Sequence, residues 1–381
     1  MEFICSKIES EKKLEKFIDE EITKYSINRN YDFGVNNRTN VSCLSPYISH
    51  GLLSEYEVIN KVLQKKEYYE VSKFLDEIFW KIYWRGWLEH RPELWEDYLK
   101  KLNVLEKNKS YYDAISGKTE INFFNLWVDE LKNYNYLHNH VRMWFASIWI
   151  FTLKLPWELG ADFFLKHLFD GDEATNTLSW RWVAGIQTKG KYYLARKENI
   201  EKYTNLKIKK NTIEKEVTYL EIPKKYQIKN ISIKKNSKLK NKNLLIFEKN
   251  IDYLYSHIQI EKYDNIYMIL KKNNQNSIFL SETVYNFKKE LIRNLKENFK
   301  NLIIVDDKDL KDIFKQTKNF DLPYPFVGYN NDFIKKYEKK FLLNINYIYR
   351  DNDLICWKYS KKGFFNFKKN IPEILSILHK V

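Results

Sequence analysis

Residues 170–185 read DGDEATNTLSWRWVAG, three acids, an amide and three hydroxyls with two tryptophans behind them. A helix start accounts for part of it, with Asp172 or Thr175 as N-cap and Trp180 and Trp182 as core residues. Capping explains the acids and only half of the rest. Asn176 stands four residues after Asp172 and therefore on the same helical face. So much aromatic surface beside so much polarity needs more than a cap, and the rest of the chain decides what.

With 381 residues, 44% hydrophobic and 17% aromatic, the chain can bury a large core, as two domains or one big one. No basic-then-apolar leader is visible in MEFICSKIESEKKLEKF, and MWFASIWIFTLKLPW is too short to span a bilayer and reads as a buried helix. A cytoplasmic, monomeric protein without a membrane partner is expected. Cys5, Cys43 and Cys356 lie far apart with no C-x-x-C pair, and His138 and His140 sit two apart, where a helix turns them to different faces. Neither a disulfide framework nor a metal site is supported. The formal charge of +15 is unevenly spread: residues 1–204 carry −1 and residues 205–381 carry +16. A bias toward Lys, Asn, Ile and Tyr explains the excess as well as a binding role does.

Ten of the eleven tryptophans fall between Trp80 and Trp182, in segments with helical spacing. In KFLDEIFWKIYWRGWLEH, Phe74, Ile78 and Ile82 form one stripe and Trp80, Trp84 and Trp87 another, until Pro92. NFFNLWVDELKNY and HVRMWFASIWIFTLKL continue the pattern, and Pro156 starts the next helix. Residues 205–243 lose the tryptophans and gain lysines, as a linker does. From residue 244 onward, NLLIFE, IYMIL and NLIIVDD read as buried strands around a helical ETVYNFKKELIRNLKENF, which suggests a small α/β domain with a parallel sheet. Neither G-x-G-x-x-G nor a P-loop occurs.

Four collinear stretches resemble the flavin-binding domain of the photolyase and cryptochrome family: NVSCLSPYISHGLLS (Asn40–Ser54), FLDEIFWKIYW (Phe74–Trp84), LHNHVRM (Leu137–Met143) and the opening DGDEATNTLSWRW. The resemblance implies a mainly α chain, an all-helical FAD-binding domain over 1–204 followed by the linker and the α/β domain. That family carries its α/β antenna domain at the N-terminus, so the segment after residue 243 would be a relocated or substitute version.

The resemblance also implies roles. Ser42, Cys43, Leu44 and Ser45 match the loop that holds the flavin diphosphate, where short hydroxyl and backbone donors suit an anion; an ordinary cap ahead of Pro46 is the alternative. Lys81 would be a counter-ion to the diphosphate, a point charge where the family usually has the forked Arg. Tyr25 and Asn139 join the cofactor set. Arg142 and Asp170 match the buried pair beside the flavin ring, with Gly171 between Asp170 and Asp172, and Asp172 at the ring edge. Asn176 would face flavin N5, where a neutral amide tolerates a reduced anionic ring better than a carboxylate does.

Trp180 and Trp157 match the proximal and middle members of an electron-delivering tryptophan chain, and core packing is their alternative. The third member's place falls near Val104, so Trp95, Tyr111 or Tyr112 would substitute. Glu77, Trp80, Asn139 and Met143 match residues that hold a flipped-out thymine dimer, with Arg29 and His140 as further DNA contacts. The alternative for Glu77 is a surface i,i+4 pair with Lys81 worth ~0.3 kcal/mol. The implied activity is light-dependent repair of cyclobutane pyrimidine dimers in DNA, a carbon–carbon lyase reaction using FAD. A cryptochrome-like photosensor and a dark flavoprotein are the competing readings.

Overall fold

The computed structural model describes residues 2–209, 212–217, 222, 224–231, 241–256, 259–271 and 280–378. Helices fill the chain from Lys7 to Tyr203, and a five-stranded sheet follows from Asn243. The 205–243 stretch lies partly outside the described residues. Its described parts run along the helices: Lys229 donates its backbone N–H to the His90 carbonyl at 2.8 Å, and Lys224 pairs with Asp97.

The central element is the 22-residue helix Tyr68–Glu89, started by a capping box between Glu67 and Glu70. Its Phe74, Ile78 and Ile82 stripe is buried as the spacing predicts. The apolar run after His138 departs from a plain α-helix, because Asn139–Ser147 passes into a π-helical turn at Ile148–Thr152 before Pro156 caps Trp157–His167. Proline lacks the N–H that an interior position needs, so the new helix starts after it. Among the described residues, no helix is long and apolar enough to cross a membrane.

The sheet is all parallel in the order β3-β2-β1-β4-β5, with β1 at Asn243–Phe247, β2 at Asn265–Ile269, β3 at Leu302–Val305, β4 at Asn319–Pro323 and β5 at Asn344–Ile348. Parallel pairing of Ile266 with Leu302 and of Asn319 with Asn344 fixes the two outer pairs. β1 to β3 are the three apolar runs expected from sequence. β4 and β5, NFDLP and NINYI, are shorter in apolar residues and carry Asn and Asp at positions a strand rule rejects.

After β5 the chain returns to the helical half through Asp351–Trp357, Phe364–Lys369 and Ile371–Leu378. Gly86 permits this contact: a Cβ there would stand 2.4 Å from Trp357 Cδ1 and 2.6 Å from Ser360 Oγ. One hydrophobic core consequently runs from Phe3 to Leu375, with a second, smaller cluster on the far face of the sheet.

Candidate functional site

The Asp170–Gly185 stretch is the helix Glu173–Val183 and the turn before it. Asp172, in extended backbone, is the N-cap and accepts the Thr175 N–H at 2.8 Å. Its other oxygen accepts Arg85 Nε at 3.1 Å and Nη2 at 3.0 Å, and Lys81 Nζ lies 3.5 Å away. Burial pushes the Asp172 carboxyl up, but the charges of Lys81, Arg85 and Lys249 outweigh it and hold it well below the usual carboxylate range. Asp172 is thus fully engaged by protein donors. Arg85 and Lys81 reach it together because they lie four apart on one helix, and Arg85 also holds Glu55 at 2.6 Å.

Asp170 meets Arg142 Nη2 at 2.9 Å and Ser45 Oγ at 2.5 Å through the same oxygen. Arg142 is fixed in turn by donating Nε to the Leu137 carbonyl at 2.8 Å. The second Asp170 oxygen is buried without a protein partner. Ser45 is the first residue of the short helix Ser45–His50 and not its cap, so its hydroxyl is free for this contact. Cys43 just before it takes a φ of 50°, and burial pushes its thiol up. Cys43 and Leu44 are buried, whereas Ser42 is half-buried at the rim. Lys81 donates to Ser49 on that helix at 2.9 Å, which brings Ser45, Lys81, Arg142, Asp170 and Asp172 into one cluster.

Asn176 is buried and donates Nδ2 to the Ala161 carbonyl at 2.9 Å, which ties its helix to Trp157–His167. Trp180 is buried on the same junction: Gly160 makes room for it, since a Cβ there would come within 2.3 Å of the indole. Trp182 is only half-buried and stacks on Tyr193 at 5.7 Å. From Trp180 rings follow one another: Trp149 at 6.2 Å, Tyr111 at 6.1 Å from Trp149, and Tyr112 at 5.3 Å from Tyr111, with Tyr112 exposed. Trp157 stacks instead on Tyr98 at 5.6 Å, and Trp95 lies 5.3 Å beyond. Trp95 is wholly buried and Val104 stands exposed.

On the outer side of the Tyr68–Glu89 helix, Glu77 pairs with Arg29 and not with Lys81. Tyr25 lies under the Arg29 guanidinium, and burial together with the Arg29 charge holds His140 at about 4, so it is neutral at pH 7. Tyr25, Arg29, Glu77 and His140 are therefore one group. His138 caps the Asn139–Ser147 helix by accepting the His140 N–H, Asn139 is exposed and Met143 half-buried. Trp80 is stacked by Phe364 from the C-terminal segment, centroids 3.6 Å apart and planes 13° apart. The face of Trp80 read from sequence as a stacking platform is covered by another ring.

Sequence reasoning passed over Arg85, Glu55, Ser49 and Lys249. Arg85 was findable as the i+4 partner of Lys81. Lys249, just beyond β1, donates to the Gly171 carbonyl at 3.0 Å and pairs with Glu173, a contact no local signal announces. Among the described residues, no group of His, Cys, Asp or Glu could hold a metal.

The buried cluster joins Lys81, Arg85 and Arg142 to Asp170, Asp172 and Glu55, and the unpartnered Asp170 oxygen can accept an N–H from a ligand. FAD fits: its ring N–H suits the unpartnered Asp170 oxygen, and Lys81, 3.5 Å from Asp172, has charge to offer its diphosphate. Residues 74–268, just over half of the chain, match the model of the FAD binding domain of DNA photolyase, and the chain belongs to that family. Among curated relatives, a deoxyribodipyrimidine photo-lyase of Agrobacterium fabrum is 31% identical over 180 residues, 45% of this chain and 37% of that protein. Another, of Streptomyces griseus, is 32% identical over 149 residues, 39% of this chain and 32% of that protein. A solved class III photolyase from Agrobacterium tumefaciens aligns with a TM-score of 0.45 and 26% identity over 52% of this chain and 42% of its own. The chain spans less than two fifths of the length of these two curated relatives.

Proposed function

We propose that the protein is a light-dependent lyase that splits cyclobutane pyrimidine dimers in DNA. The observation that carries this reading is the buried Arg142–Asp170–Ser45 contact beside Asp172 and Lys81, within a chain of the photolyase FAD-binding family. The chemistry supplied by the bound cofactor is transfer of one electron to the dimer under blue light and its recovery after the ring splits. The protein's residues do the rest. Arg142 and Asp170 orient the ring, since a buried pair is costly unless it holds a position. Lys81 balances the diphosphate, Arg85 holds Asp172 in place, and Asn176 keeps its side of the pocket uncharged. Glu77 holds Arg29 in place, and the guanidinium of that pair is the group that would stabilise negative charge developing on a base carbonyl, with Asn139, His140 and Met143 as neighbouring contacts. Trp180, Trp149, Tyr111 and Tyr112 offer a ring-to-ring route from the cofactor side to the surface, and Trp157 leads toward the interior.

In this reading, residues 1–204 hold the cofactor, residues 205–243 connect and residues 244–381 form an α/β unit in place of an antenna domain. A second reading, a cryptochrome-like sensor, is favoured by one observation: Phe364 lies on the Trp80 face that a dimer would use. Photoreduced protein incubated with a thymine-dimer oligonucleotide in blue light and in darkness separates the two. Light-dependent loss of the dimer is expected; a photoreducible flavin without dimer loss would leave the sensor.

A further inference from the structure

The C-terminal segment Trp357–Asn370, WKYSKKGFFNFKKN, contains five lysines and no acid. Two contacts hold its bend rigidly against the end of the Tyr68–Glu89 helix: Arg91 donates to the Lys361 carbonyl at 2.7 Å and Tyr83 to the Lys362 carbonyl at 2.7 Å. Phe364 and Phe367 are buried beneath it, while Phe365 between them is 78% exposed. Lys368 is used internally by Asp76. Lys358, Lys362 and Lys369 are exposed and Lys361 half-buried, and none has an ion-pair partner among the described residues.

We infer that this ridge is a binding surface for single-stranded DNA, with Phe365 as a base-stacking platform and Lys361, Lys362 and Lys369 as phosphate contacts. The composition suits a strand in particular. Repeating phosphates meet repeating ammonium groups, while one flat ring receives a base irrespective of its identity. A bilayer would need a broader apolar face than one exposed ring on a six-residue helix. Position supports the same ligand, because Phe364, the neighbour of Phe365, stacks on Trp80 three residues from Glu77. The ridge thereby continues the group assigned to the lesion. Phosphate contacts dominate affinity, and residues 1–204 carry a net −1, so positive charge has to come from elsewhere in the chain. The inference rests on the photolyase reading only for the choice of DNA as the strand.

The test uses the full chain in darkness, with a fluorescent undamaged 16-nucleotide thymidine oligonucleotide followed by anisotropy over a range of salt. Three lysine-to-glutamine changes on the ridge, K361Q/K362Q/K369Q, are compared with an equal charge change on the Glu282–Asn298 helix and its end, K289Q/K296Q/K300Q. The ridge variant is expected to lower the slope of log affinity against log salt by about 2, since each lost phosphate contact removes ~0.7 on a single strand. F365A is expected to weaken binding about tenfold with the slope unchanged. All these residues except the half-buried Lys361 are exposed, and an unchanged flavin spectrum verifies folding. A ridge variant no weaker than its charge-matched control, an F365A protein that binds as the wild type does, or a wild type that binds no strand would each overturn the inference. Repair is scored separately under light. Ridge-dependent binding without repair would refute the proposed activity alone, and repair with ridge-independent binding would refute the ridge alone.

Discussion

Asp172→Asn separates two jobs that one side chain performs. As N-cap, Asp172 accepts the Thr175 N–H, and Asn caps a helix about as well as Asp does, so this contribution should survive. As counter-ion, it faces Arg85 and Lys81, whose side chains are 5% and 14% exposed. The amide removes the charge and leaves Arg85 with Glu55 only. Removing one partner of a buried pair costs about 3–5 kcal/mol, and the retained Glu55 contact at 2.6 Å puts the expectation at the low end, about 3 kcal/mol. Asp172→Ala should lose the cap as well, about 1 kcal/mol more. Urea unfolding at pH 7 on flavin-free protein measures both without a contribution from cofactor loss, provided the urea dependence is unchanged. Adding Arg85→Met to Asp172→Asn should not recover the loss, because it leaves the buried Glu55 carboxylate without its cation. An Asp172→Asn protein within 1 kcal/mol of wild type, or one less stable than Asp172→Ala, would refute the account.

Other outcomes follow from single contacts. Burial raises the Glu89 carboxyl to about 7 even though it accepts the Val327 N–H and the Tyr324 hydroxyl. A raised carboxyl gives its full stability below its unfolded value near 4.5 and loses it as pH rises through about 7. Glu89→Gln should therefore gain on wild type by about 3 kcal/mol between pH 4.5 and 8 in paired thermal melts, and a pH-independent gap would contradict this. Gly86→Ala should destabilise by about 1–3 kcal/mol, because its methyl collides with Trp357 and Ser360; normal chemical unfolding would show that the C-terminal helices yield freely. Under the proposed route, Trp149→Phe and Tyr111→Phe should each slow flavin photoreduction more than Trp95→Phe does, read from the loss of flavin absorbance under blue light. Equal rates would remove Trp149 and Tyr111 from the path.

The residues legible in the sequence were those whose chemistry is local. Asp172 announces itself as a cap because an acid precedes a helical stripe, and Arg142 and Asp170 stand in motifs that place them together despite 28 residues of separation. Glu77 and Trp80 were correctly placed on one helix, yet their partners were not readable. Arg29 comes from 48 positions upstream and Phe364 from 284 downstream. Such contacts depend on how whole elements pack, which no window of spacing contains. The same reason hid β4 and β5. Asp321 belongs in a strand only because Asn241, Tyr263 and Asn346 from three other segments satisfy its carboxylate, and a propensity rule sees only the acid.

The sheet's strand order gives the α/β unit a specific relation to the cofactor motif. β1 lies between β2 and β4, so the connections reverse there, and an open parallel sheet places its crevice beyond the carboxyl ends of those strands. In this chain that crevice meets the helical half. Lys249 beyond β1 holds the carbonyl of Gly171, the residue between the two site aspartates, and Tyr324 and Val327 beyond β4 hold Glu89 at the end of the helix that carries Lys81 and Arg85. Both elements that shape the cluster are thereby braced by the same edge of one sheet. Contacts of this kind depend on where the edge sits in space and not on whether the unit precedes or follows in sequence. An α/β unit that follows the helices in sequence can therefore brace this cluster as long as its carboxyl edge faces residues 85–89 and 171–173, and the shared core from Phe3 to Leu375 keeps it facing them.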